Sequence, residues 1–133
     1  MGMDVYGIKP KSAIGEYFRN NCWYWRPLWE FICSNCEDIL TEKQMAGGNY
    51  NDGTKITEEQ AEQIFLRIQE IDKKDLIKIE AEDIEQREMA KENNKDKAVG
   101  DKDYIWSANY PFDAKNVMEF ADFCKASGGF EIY

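Results

Sequence analysis

The chain has 133 residues, with 17 basic and 26 acidic side chains, a formal charge of -9, 14% aromatic residues and no histidine. That length suits one domain around one core, and the acidic balance disfavours direct nucleic-acid or membrane binding while favouring a basic protein partner. Without histidine, the Ser-His-Asp, Cys-His and H-E-x-x-H arrangements are excluded, as is the commonest general base near neutral pH.

Met3 to Tyr6 is predicted as a short strand; Gly7, Pro10 and Gly15 keep residues 3–16 from forming a long element, and Ser12 is placed to cap a helical turn carrying Tyr17 and Phe18. Seven of the fifteen residues from Tyr17 to Phe31 are aromatic, including three of the four tryptophans, with Arg19, Asn20, Asn21 and Arg26 between them. Pro27 suits the first turn of a helix, because its φ is fixed and it has no N–H to satisfy. Apolar residues at 28, 29, 31, 32, 36, 39 and 40 carry that helix to an end near Leu40 to Met45.

Cys33 and Cys36 form a C-x-x-C, the weak candidate for a metal site, while Cys22 and Cys124 stand apart. Structural zinc sites bring two close pairs and the second is missing, so packing is expected, with no metal and no cofactor. Residues 46–56 hold three glycines and two asparagines and read as a loop. Its Asp52-Gly53-Thr54 suggests half of a calcium loop, but with Gly53 at the sixth position the first and third fall on Gly48 and Tyr50, which supply no carboxylate.

Thr57 and Gln60 form a capping box, followed by Ala61, Ile64, Phe65, Ile68 and Ile71 on one helical face. After Asp72 to Asp75 the pattern resumes in a shifted phase with Leu76, Ile77 and Ile79, and residues 78–97 carry seven acidic and five basic side chains. The segment 57–97 thus reads as a long charged helix or helix pair, partly protruding and helical to Glu92, with a loop through Gly100. Tyr104 to Tyr110 is predicted as a strand. Asp113 caps a helix with Val117, Phe120, Ala121 and Cys124 on one face, Gly128-Gly129 stops it, and Phe130 to Tyr133 forms a closing strand beside Met3 to Tyr6.

These elements predict a mainly α fold over 1–133: a single helical domain with a small β-sheet joining the N- and C-terminal segments, divided into 1–45, 57–97 and 104–133. Phe65 is the one ring between Asn51 and Asp103, so the aromatic ends of the chain are expected to pack together. No apolar run reaches the ~18 residues needed to span a bilayer, and the first residues lack a signal-peptide pattern, which predicts a cytoplasmic protein.

Arg19, Asn20, Asn21 and Arg26 among Trp23, Trp25 and Trp29, with Tyr110 and Asp113 from the other end, combine donors with rings as a site for a planar ligand, sugar, peptide or exposed base does. The same residues suit a core in which arginine stacks on the rings and the asparagines cap a turn before Pro27, and this reading is favoured over the binding one. The leading functional reading is a non-enzymatic protein-interaction or ligand-binding module. A second is an acidic nucleic-acid mimic that binds a basic protein through Glu80, Glu82, Asp83 and Glu85, and a third is a small-substrate enzyme working without histidine.

The segments Asp4-Val5-Tyr6-Gly7, Gly15-Glu16-Tyr17-Phe18-Arg19-Asn20-Asn21 with Trp23 and Trp25-Arg26-Pro27-Leu28-Trp29, and Tyr110-Pro111-Phe112 with Asn116-Val117, Glu119-Phe120, Phe123 and Gly128-Gly129-Phe130 resemble a family of small proteins from bacteria and their phages. The resemblance covers about half of the chain and implies a recurring architecture of phage or mobile-element origin, with no established activity. Some relatives carry a cysteine-rich insert suggestive of zinc; here Asn93 to Gly100 takes that place without cysteine.

Overall fold

The computed structural model describes residues 2–133. Strands β1 (Gly2–Gly7), β2 (Tyr17–Asn21), β3 (Thr54–Ile56) and β4 (Phe130–Ile132) form one antiparallel sheet in the order β2-β1-β4-β3. Helices α1 (Cys22–Asn35), α2 (Glu42–Gly47), α3 (Glu58–Gln69), α4 (Lys73–Asn94) and α5 (Ala114–Ser127) complete it. The expectation of a mainly α domain is corrected to a mixed α and β fold. Beyond the expected pairing of the chain's ends, the sheet takes in β2 and β3, from segments read as a helical turn and a loop.

In β1, Met3 and Val5 turn inward and Asp4 and Tyr6 outward, the period-2 alternation of a strand with one buried face. The register sets Tyr17 and Glu131 beside Tyr6, and Arg19 beside Asp4. Helices cover the inner face. Phe120 of α5 meets Phe18 at 5.2 Å, Trp25 at 5.7 Å and Phe130 at 5.6 Å, so one ring from the C-terminal part ties both aromatic segments together.

Helix α1 begins at Cys22, five residues before Pro27, because the Asn21 side chain accepts the Tyr24 N–H at 3.1 Å and caps it. It ends at Asn35 rather than near Leu40 to Met45. Trp25 and Trp29, one turn apart, stack at 5.6 Å with their planes 10° from parallel. Their indole N–H groups donate to the carbonyls of Gly48 (2.8 Å) and Met45 (2.9 Å), fastening the end of α2 to α1. A side chain at Gly48 would collide with Trp29, since a Cβ there would lie 2.1 Å from the indole.

Helix α4 buries only Leu76 and Ala90. Side-chain bonds to loop backbone hold it instead: Asp83 accepts the Phe112 N–H at 2.9 Å, and Asn94 both accepts from Ile105 N–H and donates to Ile105 O, each at 2.8 Å. The charged helix therefore lies along residues 103–114 for much of its length. The segment expected as a strand over Tyr104 to Tyr110 is instead a 3-10 turn, Trp106–Asn109.

Arg67 on α3 holds the end of α1, donating to Asn35 O and to both carboxylate oxygens of Asp38 at 2.8 Å. The Arg67 hydrogen bonds lower the Asp38 carboxyl from 3.8 to about 2. A depressed carboxyl stabilises the fold above its unfolded pKa of about 4, and that contribution is lost as pH falls towards the folded value. In Arg67→Gln the Asp38 titration, followed by carboxyl NMR, is expected to move from about 2 towards 3.8; an unmoved midpoint removes Arg67 as the cause.

Gly128 ends α5 with φ +67°, and a Cβ there would lie 2.2 Å from the Lys9 carbonyl oxygen. Gly128→Ala is expected to cost about 1–3 kcal/mol in urea unfolding, since an L side chain is strained in that region. A midpoint equal to the parent's would overturn this account.

Candidate functional site

The nine residues singled out in the sequence disperse to different tasks. Arg19 lies on the open face of the sheet, where its Nε pairs with Asp4 at 3.1 Å; the Tyr17 hydroxyl donates to the same carboxylate oxygen, which raises the Tyr17 pKa. Asn20 points inward and exchanges two side-chain bonds with Asn116 of α5, at 3.0 and 2.7 Å. Asn21 and Asp113 are N-caps, of α1 and α5. Trp25 and Trp29 are each 1% exposed and belong to the core.

Trp23, Arg26 and Tyr110 do come together at the surface. The Trp23 and Tyr110 rings are 5.0 Å apart and the Arg26 guanidinium lies 5.6 Å from the Tyr110 centroid. Helical spacing explains the first division: residues 25 and 29 share the inward face of α1, whereas 23 and 26 lie on its flanks.

Beside this cluster a groove of about 620 Å³ runs between the start of α1, the C-terminal half of α4 and the 3-10 turn. Its rings are Trp23, Tyr24, Tyr104 and Trp106, and its charged side chains are Arg87 and Lys91. Trp23 is 40% exposed and Trp106 49%. No carboxylate, cysteine, serine or threonine lines it, in a chain whose net charge is -9. Arg87 bonds Asp83 through Nε at 2.7 Å, and Lys91 lies 3.7 Å from Glu88 in an exposed pair that fixes it weakly.

Tyr24, Arg87, Lys91, Tyr104 and Trp106 were not among the residues singled out. Trp106 was a detectable signal, the one tryptophan outside the N-terminal run, but reading 104–110 as a strand supplied no reason to expose it. Arg87 and Lys91 lie i, i+4 on the α4 face that meets residues 99–111.

Burial raises the Cys33 thiol to about 12 and the Cys36 thiol to about 11, so both are protonated thiols at neutral pH. Among the described residues no group of three or more Cys, Asp or Glu side chains is placed to hold a metal ion, and no helix is long and apolar enough to cross a membrane. Comparison with protein-family models, with curated proteins and with solved structures finds no match.

The Asn20–Asn116 pair is internal, and Asn116 is 8% exposed. Asn20→Ala and Asn116→Ala are each expected to destabilise by about 1–3 kcal/mol, because each strands a buried amide. The double variant should cost clearly less than the sum of the two in a denaturation cycle; strict additivity would show that the amides do not depend on each other.

Proposed function

We propose that the protein is a non-enzymatic binding module whose recognition surface is the groove at Trp23, Tyr24, Tyr104 and Trp106, and that its ligand presents a planar group bearing negative charge. One observation carries this reading: half-exposed rings line a groove whose charged side chains are both cationic, on a strongly acidic protein. Exposed rings hold planar groups by stacking, and Lys91, weakly held by Glu88, favours an anion, while Arg87 keeps part of its charge engaged by Asp83. The lining offers no carboxylate and no serine or cysteine nucleophile, which supports binding over catalysis. The ligand is a free small molecule or a group displayed on a partner protein; the net charge opposes a long polyphosphate.

The four cysteines are free thiols, two of them buried, which supports a cytoplasmic site of action. The resemblance of the terminal segments favours a phage or mobile-element origin. The acidic-mimic reading has less support, because Asp83 accepts the Phe112 N–H and Glu80 lies 3.4 Å from the Ala114 N–H, leaving Glu82 and Glu85 of its four carboxylates for a partner.

Indole-3-acetate and tryptamine share a ring and differ in charge, so they test both parts of the proposal. Indole-3-acetate is expected to shift the indole N–H resonances of Trp23 and Trp106 while those of Trp25 and Trp29 stay in place, and tryptamine is expected to bind at least tenfold more weakly. Trp106→Ala should weaken binding by about tenfold or more, at roughly 1–3 kcal/mol per stacked ring, with circular dichroism unchanged. Equal binding of the two probes refutes the charge selection, and unmoved Trp23 and Trp106 resonances refute the groove.

A further inference from the structure

A second opening lies at the other end of α4, independent of the groove. Helix α3 ends at Gln69 and α4 starts at Lys73, and the corner between them stands off α5, leaving a pocket of about 390 Å³. Phe65, Ile68, Ile71, Leu76, Met118 and Ala121 form its wall. Ile68, Leu76 and Ala121 are buried, while Phe65, Ile71 and Met118 remain half-exposed along the opening. Ala121 lines it with only a methyl group, and a longer side chain at that position on α5 would project into it.

The rim is charged in a particular way. Lys73 and Lys125 stand at the mouth with Asp122 and Gln69. Among the described residues neither lysine has a carboxylate within ion-pair distance. Lys125 instead lies 5.0 Å from the centroid of the Phe65 ring, on the wall of the same pocket. Asp72, next in sequence to Lys73, is not part of the rim, and its carboxylate caps α4 by accepting the Lys74 N–H at 2.9 Å. Two ammonium groups without ion pairs, against the single carboxylate of Asp122, leave the rim net cationic over an apolar wall and complement a ligand with an anionic head and an apolar body.

The wall narrows the choice. Five of its six apolar residues are aliphatic or thioether, and Phe65 already has Lys125 near its ring. The volume sits near the lower end of the roughly 300–1,000 Å³ typical of small-molecule sites, too small for a docked helix and suited to one flexible chain. We infer that this pocket binds a single-chain aliphatic carboxylate of medium length, its chain along Ile68, Leu76 and Met118 and its carboxylate between Lys73 and Lys125.

The test uses the full chain and three probes with the same eight-carbon chain below their micelle concentrations: octanoate, 1-octanol and octyltrimethylammonium. Octanoate is expected to shift the methyl resonances of Ile68, Ile71, Leu76 and Met118, with octanol at least fivefold weaker and the ammonium weaker still. The exposed double change Lys73→Glu with Lys125→Glu should weaken octanoate by tenfold or more and leave octanol unchanged. Ala121→Phe should abolish binding of all three; Ile71→Trp, at the half-exposed mouth, replaces it if the first variant loses its native spectrum. Equal binding of the three probes, octanoate binding that survives the double charge reversal, or shifts confined to the groove around Trp106 each overturn the inference. Stronger capture of a peptide with an apolar C-terminal residue than of octanoate overturns the assignment to a free aliphatic acid.

Discussion

The pairing of β1 with β4 is the contact on which the other elements depend. These strands lie near opposite ends of the chain and occupy the two central places of the sheet, with Val5 opposite Ile132 and Gly7 opposite Phe130. Each then presents its other edge to a further strand, β2 on one side and β3 on the other, so the sheet cannot assemble in sequence order. The antiparallel ladder is extended by Asp4 and Tyr133, which exchange both backbone bonds at 2.7 Å. Pairing strands from opposite ends of the chain gives the fold a high share of long-range contacts, which slows folding relative to a helical bundle of the same size.

Aromatic burial makes that closure favourable. A buried tryptophan or phenylalanine removes about 150–250 Å² from water, roughly 4–6 kcal/mol at ~25 cal/mol per Å². An indole N–H···O bond adds only about 1 kcal/mol net. The rings around Phe120 therefore supply most of the driving force, while the bonds from Trp25 to Gly48 and from Trp29 to Met45 decide which way the two indoles face. The close approach of the Gly48 backbone to Trp29 leaves that position little room for any side chain.

The elements with strong local signals were legible in the sequence. The Thr57 capping box, the Asp113 cap and the Gly128 stop arise from short-range chemistry, and the packing of one aromatic end on the other was legible from where the rings lie along the chain. What escaped depended on tertiary partners. Nothing local marks β2, read as a helical turn, as a strand: its inward Asn20 is satisfied by Asn116, 96 residues away. Pro27 overshadowed Asn21 as the start of α1, although the asparagine cap is what sets the boundary. β3 has three residues and shows no periodicity of its own. At the candidate site the sequence brought Trp23, Arg26 and Tyr110 into view, whereas Arg87, Lys91 and Trp106 join them only because the end of α4 clamps residues 103–105.

Helix α4 has almost no apolar face of its own, yet one of its ends borders the apolar pocket and the other the aromatic groove. At about 1.5 Å of rise per residue, Lys73 and Lys91 stand roughly 27 Å apart along one helix. On the two binding proposals, the helix is a spacer of set length between the sites. A bivalent ligand, or a partner surface bearing two such groups at that distance, meets both with the separation already established, and the second contact then forms at the high effective concentration of a tethered group.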